Sequence, residues 1–393
     1  PDGPYTLVAD WLVACDGSRS PLRKMIGQES HGRVFHDRFL IADVKMDAEF
    51  PTERWFWFDP PFHPNQSVLL HRQPDNIWRI DFQLGWSADP VEEVKPENVL
   101  PRIKALLGAD VNFELEWVSI YTFACERMDR FQHGRILFAG DAAHRVSPFG
   151  ARGANSGVQD ADNLAWKLHL VTQGLAPESL IDTYAVEREK AADENIQHSS
   201  RSTDFITPKS AISLLFRNTV LKLAKQFEFA RKLVNSGRLS TPTFYSDSTL
   251  NTPDTDRFTP GLPLGGVAPD APTLVQGRRD WWLGQLDGRF VLAVFCLAQL
   301  PPAATLQELA RLQGNPAGLK VIFVLGPEAE ALPVPTEFQA VVDREAVLAE
   351  RYGALEQTSY LIRPDQHLAA RWHHCDASDI QTALLRAMGF NQS

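Results

Sequence analysis

Between Arg135 and Gly157 the chain reads RILFAGDAAHRVSPFGARGANSG. Arg135 to Gly140 predicts a short buried strand. It ends in Gly140-Asp141, so a carboxylate stands at the carboxyl edge of a sheet, where ligands of α/β folds sit. A carboxylate there can accept hydrogen bonds from the hydroxyls of a sugar-like chain. Gly150, Gly153 and Gly157 lack Cβ and let backbone approach a flat ligand closely. A helix is expected from about Ser156, with Val158, Ala161, Leu164, Ala165 and Leu168 on one apolar face. Its unpaired N–H groups and positive dipole end suit a ligand with negative charge, such as a pyrophosphate or a reduced flavin. A plain strand–turn–helix with Asp141 as a cap explains the same residues, and spacing alone does not separate the two readings.

Other elements must hold this stretch in place. Residues 5–15 alternate and then run apolar, which predicts a strand entering a turn at Asp16-Gly17. Residues 30–90 hold the strand-like runs RFLIADVKM, RWFWF, SVLLHRQ and IWRIDFQLGW, parted by the turn signals PPFHPN and PDN; this is an antiparallel sheet. Residues 91–107 read as a helix and 113–124 as a strand. Two more helices follow the one after Gly157, SLIDTYAVEREKAADENIQHSSRS and ISLLFRNTVLKLAKQFEFARKLV. Residues 236–275 are rich in Ser, Thr, Pro, Gly and Asp and read as a linker. Beyond it a β-α-β-α-β-β-α order predicts a thioredoxin-like fold.

The chain has 393 residues, 44% of them hydrophobic, enough for two or three domains. A net charge of -10 disfavours nucleic acid or an anionic membrane as a partner. No apolar run approaches the roughly 20 residues of a membrane span. Cys15, Cys125, Cys296 and Cys375 form no CxxC pair, which fits free thiols in a reducing cytoplasm and gives no metal framework.

GDAAHRVSPFGARGAN resembles the GD motif of the group A flavoprotein monooxygenases, the aromatic hydroxylases related to p-hydroxybenzoate hydroxylase. Their loop commonly reads G-D-A-A-H-x-x-x-P-x-x-G-Q-G-x-N. Gly140, Asp141, Ala142, Ala143, His144, Pro148, Gly153 and Asn155 match; Ala151 and Arg152 stand where Gly-Gln is commoner. CDGSRSPLR resembles the family's D-G-x-x-S-x-x-R through Asp16, Gly17, Ser20 and Arg23. The resemblance covers residues 5 to about 200, and the tail looks like that of phenol hydroxylase and 3-(3-hydroxyphenyl)propionate hydroxylase relatives.

The resemblance implies an α/β FAD-binding domain with an inserted antiparallel-sheet substrate domain and a C-terminal thioredoxin-like α/β domain. The divisions expected are 1–29 (DG motif), 30–124 (substrate sheet), 125–235 (GD motif and helices), the linker 236–275, and 276–393. Asp141 would hold the FAD ribityl hydroxyls. Backbone of Gly150, Ala151, Arg152, Gly153, Ala154 and Asn155 would face the flavin ring, beside Gly140. Asp16 would lie near the pyrophosphate and help NADH or NADPH engage, and Pro148 would lie beside the substrate. Arg23 is expected to pair within the DG turn, and His144 to be structural. The implied reaction is hydroxylation of a phenolic ring by NAD(P)H and O2 through a flavin hydroperoxide, in a small-molecule enzyme with a homodimer as a candidate assembly. Epoxidation or Baeyer–Villiger oxidation of a polyketide-like substrate is the alternative within enzymes, and a non-catalytic interaction module the alternative outside them.

The family carries an N-terminal G-x-G-x-x-G for the pyrophosphate. The sequence shows none; GLPLGG from Gly261 has the wrong spacing. Pro1 and the mid-hairpin start lead us to expect a preceding segment, without which FAD affinity should fall sharply. Among lesser candidates, WFWFDPPF lacks the Ile-Pro ending of the flavin halogenase motif W-x-W-x-I-P. His71, Arg79 and Asp81 share one side of a strand pair and could orient a phenol or carboxylate, although a solvated face is the favoured reading. Gln299 and Thr358-Ser359 replace the residues a thiol-exchange site needs.

Overall fold

The computed structural model describes residues 3–46, 50–235, 241–258, 261–316 and 318–390. In chain order, β1 (Leu12–Ala14) leads through the Asp16-Gly17 turn into the short helix α1 (Pro21–Met25). Ser20 caps that helix by accepting from the Arg23 N–H, with Pro21 in its first turn. Next come β2 (Ser30–Lys45), β3 (Trp55–Phe58), β4 (Ser67–Arg72), β5 (Ile77–Leu84), α2 (Pro96–Leu107) and β6 (Glu114–Met128). The chain then returns through β7 (Gln132–His133), β8 (Ile136–Phe138) and β9 (His144–Arg145) to the helices α3 (Gly153–Thr172) and α4 (Ser179–Ile206).

β8 pairs in parallel with β1, Leu12 opposite Ile136 and Ala14 opposite Phe138, and β7 flanks β8. Both motif turns therefore leave the carboxyl end of one small sheet. Its core is Ala14, Leu137 and Phe138 against Leu164, Ile181 and Tyr184 of the two helices. The Tyr184 hydroxyl donates to the Phe138 carbonyl (2.7 Å), anchoring the last strand residues before Gly140.

The middle sheet runs β3-β4-β5-β2-β6-β9 and is antiparallel throughout. Period-two alternation gives it two faces. Leu40, Ala42, Val44, Trp78, Ile80 and Phe82 pack under Val99 and Ile103 of α2. Trp55 and Trp57 pack half-buried against the same apolar layer, while Phe56 between them faces the other side of the sheet. The opposite face carries Phe39 and Phe123, over which Phe149 of the GD loop packs.

α5 (Ala211–Ala224) and α6 (Glu228–Asn235) follow. One helix was expected over this run; the chain breaks it between residues 225 and 227. In the C-terminal part, β10 (Pro272–Val275), β11 (Arg278–Trp281), β12 (Val291–Cys296), α7 (Ala303–Gln313), β13 (Lys320–Leu325), β14 (Gln339–Val342), α8 (Val347–Tyr352), β15 (Ser359–Ile362), β16 (Leu368–Trp372) and α9 (Ala377–Ala387) complete the chain. The sheet order is β11-β10-β14-β13-β12-β15-β16, with β12, β13 and β14 parallel. Trp166 and Leu170 of α3 belong to the same apolar cluster as Leu292, Phe323 and Leu384, so this sheet docks on the helix that follows the GD loop.

Three other expectations differ from the structure. Only Leu12–Ala14 of the 5–15 run is a strand; Tyr5, Leu7 and Val8 are exposed. α3 begins at Gly153 instead of Ser156, which brings Gly153, Ala154 and Asn155 into its first turn. The segment expected as a linker, part of which lies outside the described residues, ends in β10 and buries Tyr245, Leu250 and Leu262. Its described part is packed chain, because its apolar side chains have a sheet to cover.

Candidate flavin site

The site is built from one strand end, one turn and one helix start. Gly140 follows β8 with φ +60° and Asp141 is exposed beyond it. Gly140 faces Gly157 of α3: a Cβ placed on Gly157 would lie 3.5 Å from the Gly140 Cα. This contact lets the strand end and the helix start share one wall. The loop between them turns at Pro148–Ala151, where the Ala151 N–H donates to the Pro148 carbonyl (3.0 Å). Gly150 (φ +105°) and Ala151 (φ +52°) make that turn possible. Pro148 is exposed, and its carbonyl keeps a second lone pair for a ligand.

α3 starts without a side-chain cap and without an acid in its first turn. Its first N–H groups therefore stay available, next to the exposed Ala154 and Asn155. The Asn155 amide donates to the Ala151 carbonyl (2.6 Å) and so braces the loop. Arg152 does not present its side chain to this surface. It is 2% exposed and donates to Asn195 Oδ1 (2.8 Å), leaving only backbone to the site.

The DG turn is joined to the GD loop directly. Arg23 donates to the Ser18 carbonyl within its own turn and to the Ala142 carbonyl, each at 2.7 Å. The expected internal pairing is present, and the bond to Ala142 across 119 positions adds a clamp between the two motifs. Asp16 is exposed and accepts from the Leu22 N–H (3.0 Å). Burial opposes its charge, but hydrogen bonds from Ser20 and Leu22 together hold its carboxyl below the ordinary carboxylate value.

Sequence reasoning missed the residue that organises the loop from behind. Asp160, wholly buried on α3, accepts from the Gly140 N–H (2.8 Å), from His144 Nε2 (2.8 Å) and from Arg188 Nε (2.6 Å). Burial opposes its charge, but His144, Arg188 and the Gly140 amide together hold the carboxyl below its usual range. His144 is 2% exposed and stacks on Phe131, a structural place.

On the inner face of the middle sheet, His71, Arg79 and Asp43 form one cross-strand row, with Asp81 in the next. Arg79 pairs with Asp43 through two 2.8 Å bonds. The row is half-buried, with Trp117 and Tyr121 exposed beside it, so the face is solvated only in part. His71 Nδ1 and Asp81 Oδ1 are buried without a hydrogen-bond partner among the described residues. Burial pulls the His71 imidazole down to about 4 and pushes the Asp81 carboxyl up to about 6. A cleft of about 910 Å³ lies elsewhere, along α4 and residues 246–254. Asp182, Glu187, Asp247 and Asp254 line it against one cation, Arg386, a balance that disfavours an anionic cofactor.

The family model described as FAD binding domain matches residues 1–199, half of the chain and both motifs. The chain belongs to this FAD-binding family. A probable NADH-specific resorcinol 4-hydroxylase of Rhodococcus jostii (strain RHA1) is 36% identical over 185 residues, 47% of this chain and 34% of that protein. A putative polyketide hydroxylase of Streptomyces halstedii is 37% identical over 198 residues, 49% of this chain and 36% of that protein. The chain thus matches only about a third of the length of these relatives. Among solved structures, the flavin-dependent monooxygenase PieE in complex with FAD and substrate aligns over 97% of this chain and 70% of its own, with a TM-score of 0.72 at 20% identity. OxyS anhydrotetracycline hydroxylase from Streptomyces rimosus aligns over 98% and 70%, with a TM-score of 0.67 at 25% identity. The fold of this FAD-binding family member is thus shared along nearly the whole chain.

Proposed function

We propose that this protein is an FAD-dependent monooxygenase that hydroxylates a phenolic ring with NAD(P)H and O2. One observation carries the reading: Asp141, the glycine-lined loop and the uncapped start of α3 lie together at the carboxyl end of β8, clamped to the DG turn by Arg23. The donor set fits a flavin. Asp141 accepts the ribityl hydroxyls, and the Gly140–Gly157 contact and the backbone of Gly150, Ala151, Arg152, Gly153, Ala154 and Asn155 leave a flat ring room to approach. First-turn N–H groups of α3 meet its electron-rich edge. Asp16 serves the pyrophosphate side and the nicotinamide cofactor. When bound, FAD supplies the redox chemistry that links NAD(P)H and O2 to the substrate.

The chain's own residues orient and enclose. Pro148 borders the substrate through its carbonyl. Phe149, packed on Phe39 and Phe123, seals the loop against the middle sheet and keeps water out. We read the C-terminal sheet as thioredoxin-like, with a packing role. Burial pushes the Cys296 thiol up to about 12, unsuited to exchange. No described helix is long and apolar enough to cross a membrane, in keeping with a cytoplasmic enzyme. The resorcinol hydroxylase relative supports a phenolic substrate. The test is NAD(P)H oxidation by the FAD-loaded protein over a panel of phenols, with the products separated by mass. Stimulation with a gain of one oxygen atom is expected. Oxidation that no phenol stimulates, with no oxygenated product, would overturn the reading.

A further inference from the structure

We propose that the C-terminal sheet sets the shape of the flavin loop through Tyr245 and Arg188, which makes Arg188 a positioning residue for the cofactor. The inference rests on the reading that the Gly140–Asp141 strand end holds FAD.

Arg188 sits on α4 and is 1% exposed. Each of its three nitrogens donates a hydrogen bond. Nε donates to Asp160 (2.6 Å), Nη2 to the Ser156 carbonyl (3.1 Å) and Nη1 to the Tyr245 hydroxyl (2.6 Å). Two of these partners belong to the flavin site: Ser156 is in the first turns of α3, and Asp160 holds the Gly140 N–H. The third is not. Burial pushes the Tyr245 phenol up to about 12, so it meets Arg188 as a neutral hydroxyl.

Tyr245 is placed by the C-terminal part. Its N–H donates to the Gly265 carbonyl, and its ring stacks on His367 at 4.4 Å. A side chain at Gly265 would overlap the Tyr245 carbonyl, so this approach requires glycine. His367 lies in the β15–β16 turn, which makes a second tie one residue away on α4. Arg363 donates to both oxygens of Glu187 (2.6 and 2.8 Å) and to Asp365. Asn163 of α3 bridges Glu187 and Asp365.

One turn of the C-terminal sheet thus fixes Glu187, and through Tyr245 it fixes Arg188. A rigid guanidinium transmits such placement, because rotating its plane at Nη1 moves the bond at Nε. Buried ion pairs add little stability over apolar packing of the same volume, so stability does not account for this cluster. Fixing the geometry behind Gly140 does.

The experiment compares three full-length proteins: wild type, Tyr245→Phe, and Asp376→Ala. Tyr245→Phe removes only the hydroxyl and keeps the stack on His367. Asp376→Ala removes the capping box of α9, a C-terminal lesion of similar cost that leaves Tyr245 untouched. Two readouts are taken: hydrogen exchange at the Gly140 amide without FAD, and FAD affinity by fluorescence titration. For Tyr245→Phe we expect Gly140 exchange about tenfold faster and FAD binding about tenfold weaker, the loss of one charge-assisted hydrogen bond. For Asp376→Ala both should stay at wild type. The proposal is overturned if Tyr245→Phe leaves Gly140 exchange unchanged, or if Asp376→Ala moves both readouts as far. Gly140 exchange is read without cofactor, so it judges this inference alone. If Asp141→Ala binds FAD as wild type does, the site reading itself has failed.

Discussion

Replacing Asp160 by Asn tests the node behind the flavin loop. The substitution keeps size and shape but removes the charge facing Arg188, which is 1% exposed, and His144, which is 2% exposed. Breaking a buried ion pair by removing one partner costs about 3–5 kcal/mol. The new amide also turns a donor toward either Arg188 Nε or the Gly140 and His144 N–H groups. That unmet bond, roughly 1–3 kcal/mol, overlaps with the first loss. We take about 4 kcal/mol as the centre. At roughly 2–4 °C per kcal/mol for a domain of 150–250 residues, Tm should fall by roughly 8–16 °C, read by circular dichroism. The comparison is Asp204→Asn, which breaks an ion pair with Arg33 in which both side chains are about half exposed; it should cost about 1 kcal/mol or less. The sign of the pH dependence follows from the depressed carboxyl of Asp160. Its stabilisation is complete above the unfolded value near 4 and is lost as pH falls through the lower folded value. Asp160→Asn should therefore weaken the chain at pH 7 and lose less than wild type on acidification. A Tm for Asp160→Asn indistinguishable from that of Asp204→Asn would refute the reasoning.

Other substitutions probe other parts of the fold. Asp81 binds its proton more tightly in the folded chain, so its ionised form costs up to about 3 kcal/mol at neutral pH, and this cost disappears as pH falls from about 6 to about 4. Asp81→Asn should raise Tm at pH 7.5 and leave it unchanged near pH 4; no gain at pH 7.5 would show the carboxylate to be solvated. At Gly32 a Cβ would overlap the Cys125 carbonyl and the Glu126 Cα across the β2–β6 pair. Gly32→Ala should cost about 3 kcal/mol in urea unfolding, and an unchanged midpoint would mean that the two strands can part. Gly157 is inside a helix and its added Cβ would make only ordinary contact with Gly140. Gly157→Ala should stabilise the cofactor-free chain by about 0.5–1 kcal/mol, and a lower urea midpoint would count against the packing described.

Local signals were legible and distant pairings were not. Gly140-Asp141 and Asp16-Gly17 stand out because a strand end, an acid and a turn occur within a few residues. The alternation in β2 and β5 likewise gives the two faces of the middle sheet. Arg23 was readable as a turn residue, but its bond to Ala142 joins positions 119 apart. Asp160 looks like an ordinary helix-surface acid until Gly140, His144 and Arg188 converge on it. His71 and Asp81 were read as solvated because polarity marks a strand face, not what covers it. The break after Ala224 was missed because both pieces share one apolar composition.

The central claim is that the Gly140–Asn155 stretch holds FAD through Asp141. The most direct measurement is FAD titration, by quenching of flavin fluorescence, of the wild-type protein and Asp141→Ala. Losing hydrogen bonds to a charged acceptor is worth about 1.5–3 kcal/mol, so the account predicts roughly ten- to a hundredfold weaker binding by the variant. Equal affinity in the two proteins, with circular dichroism unchanged, would contradict it.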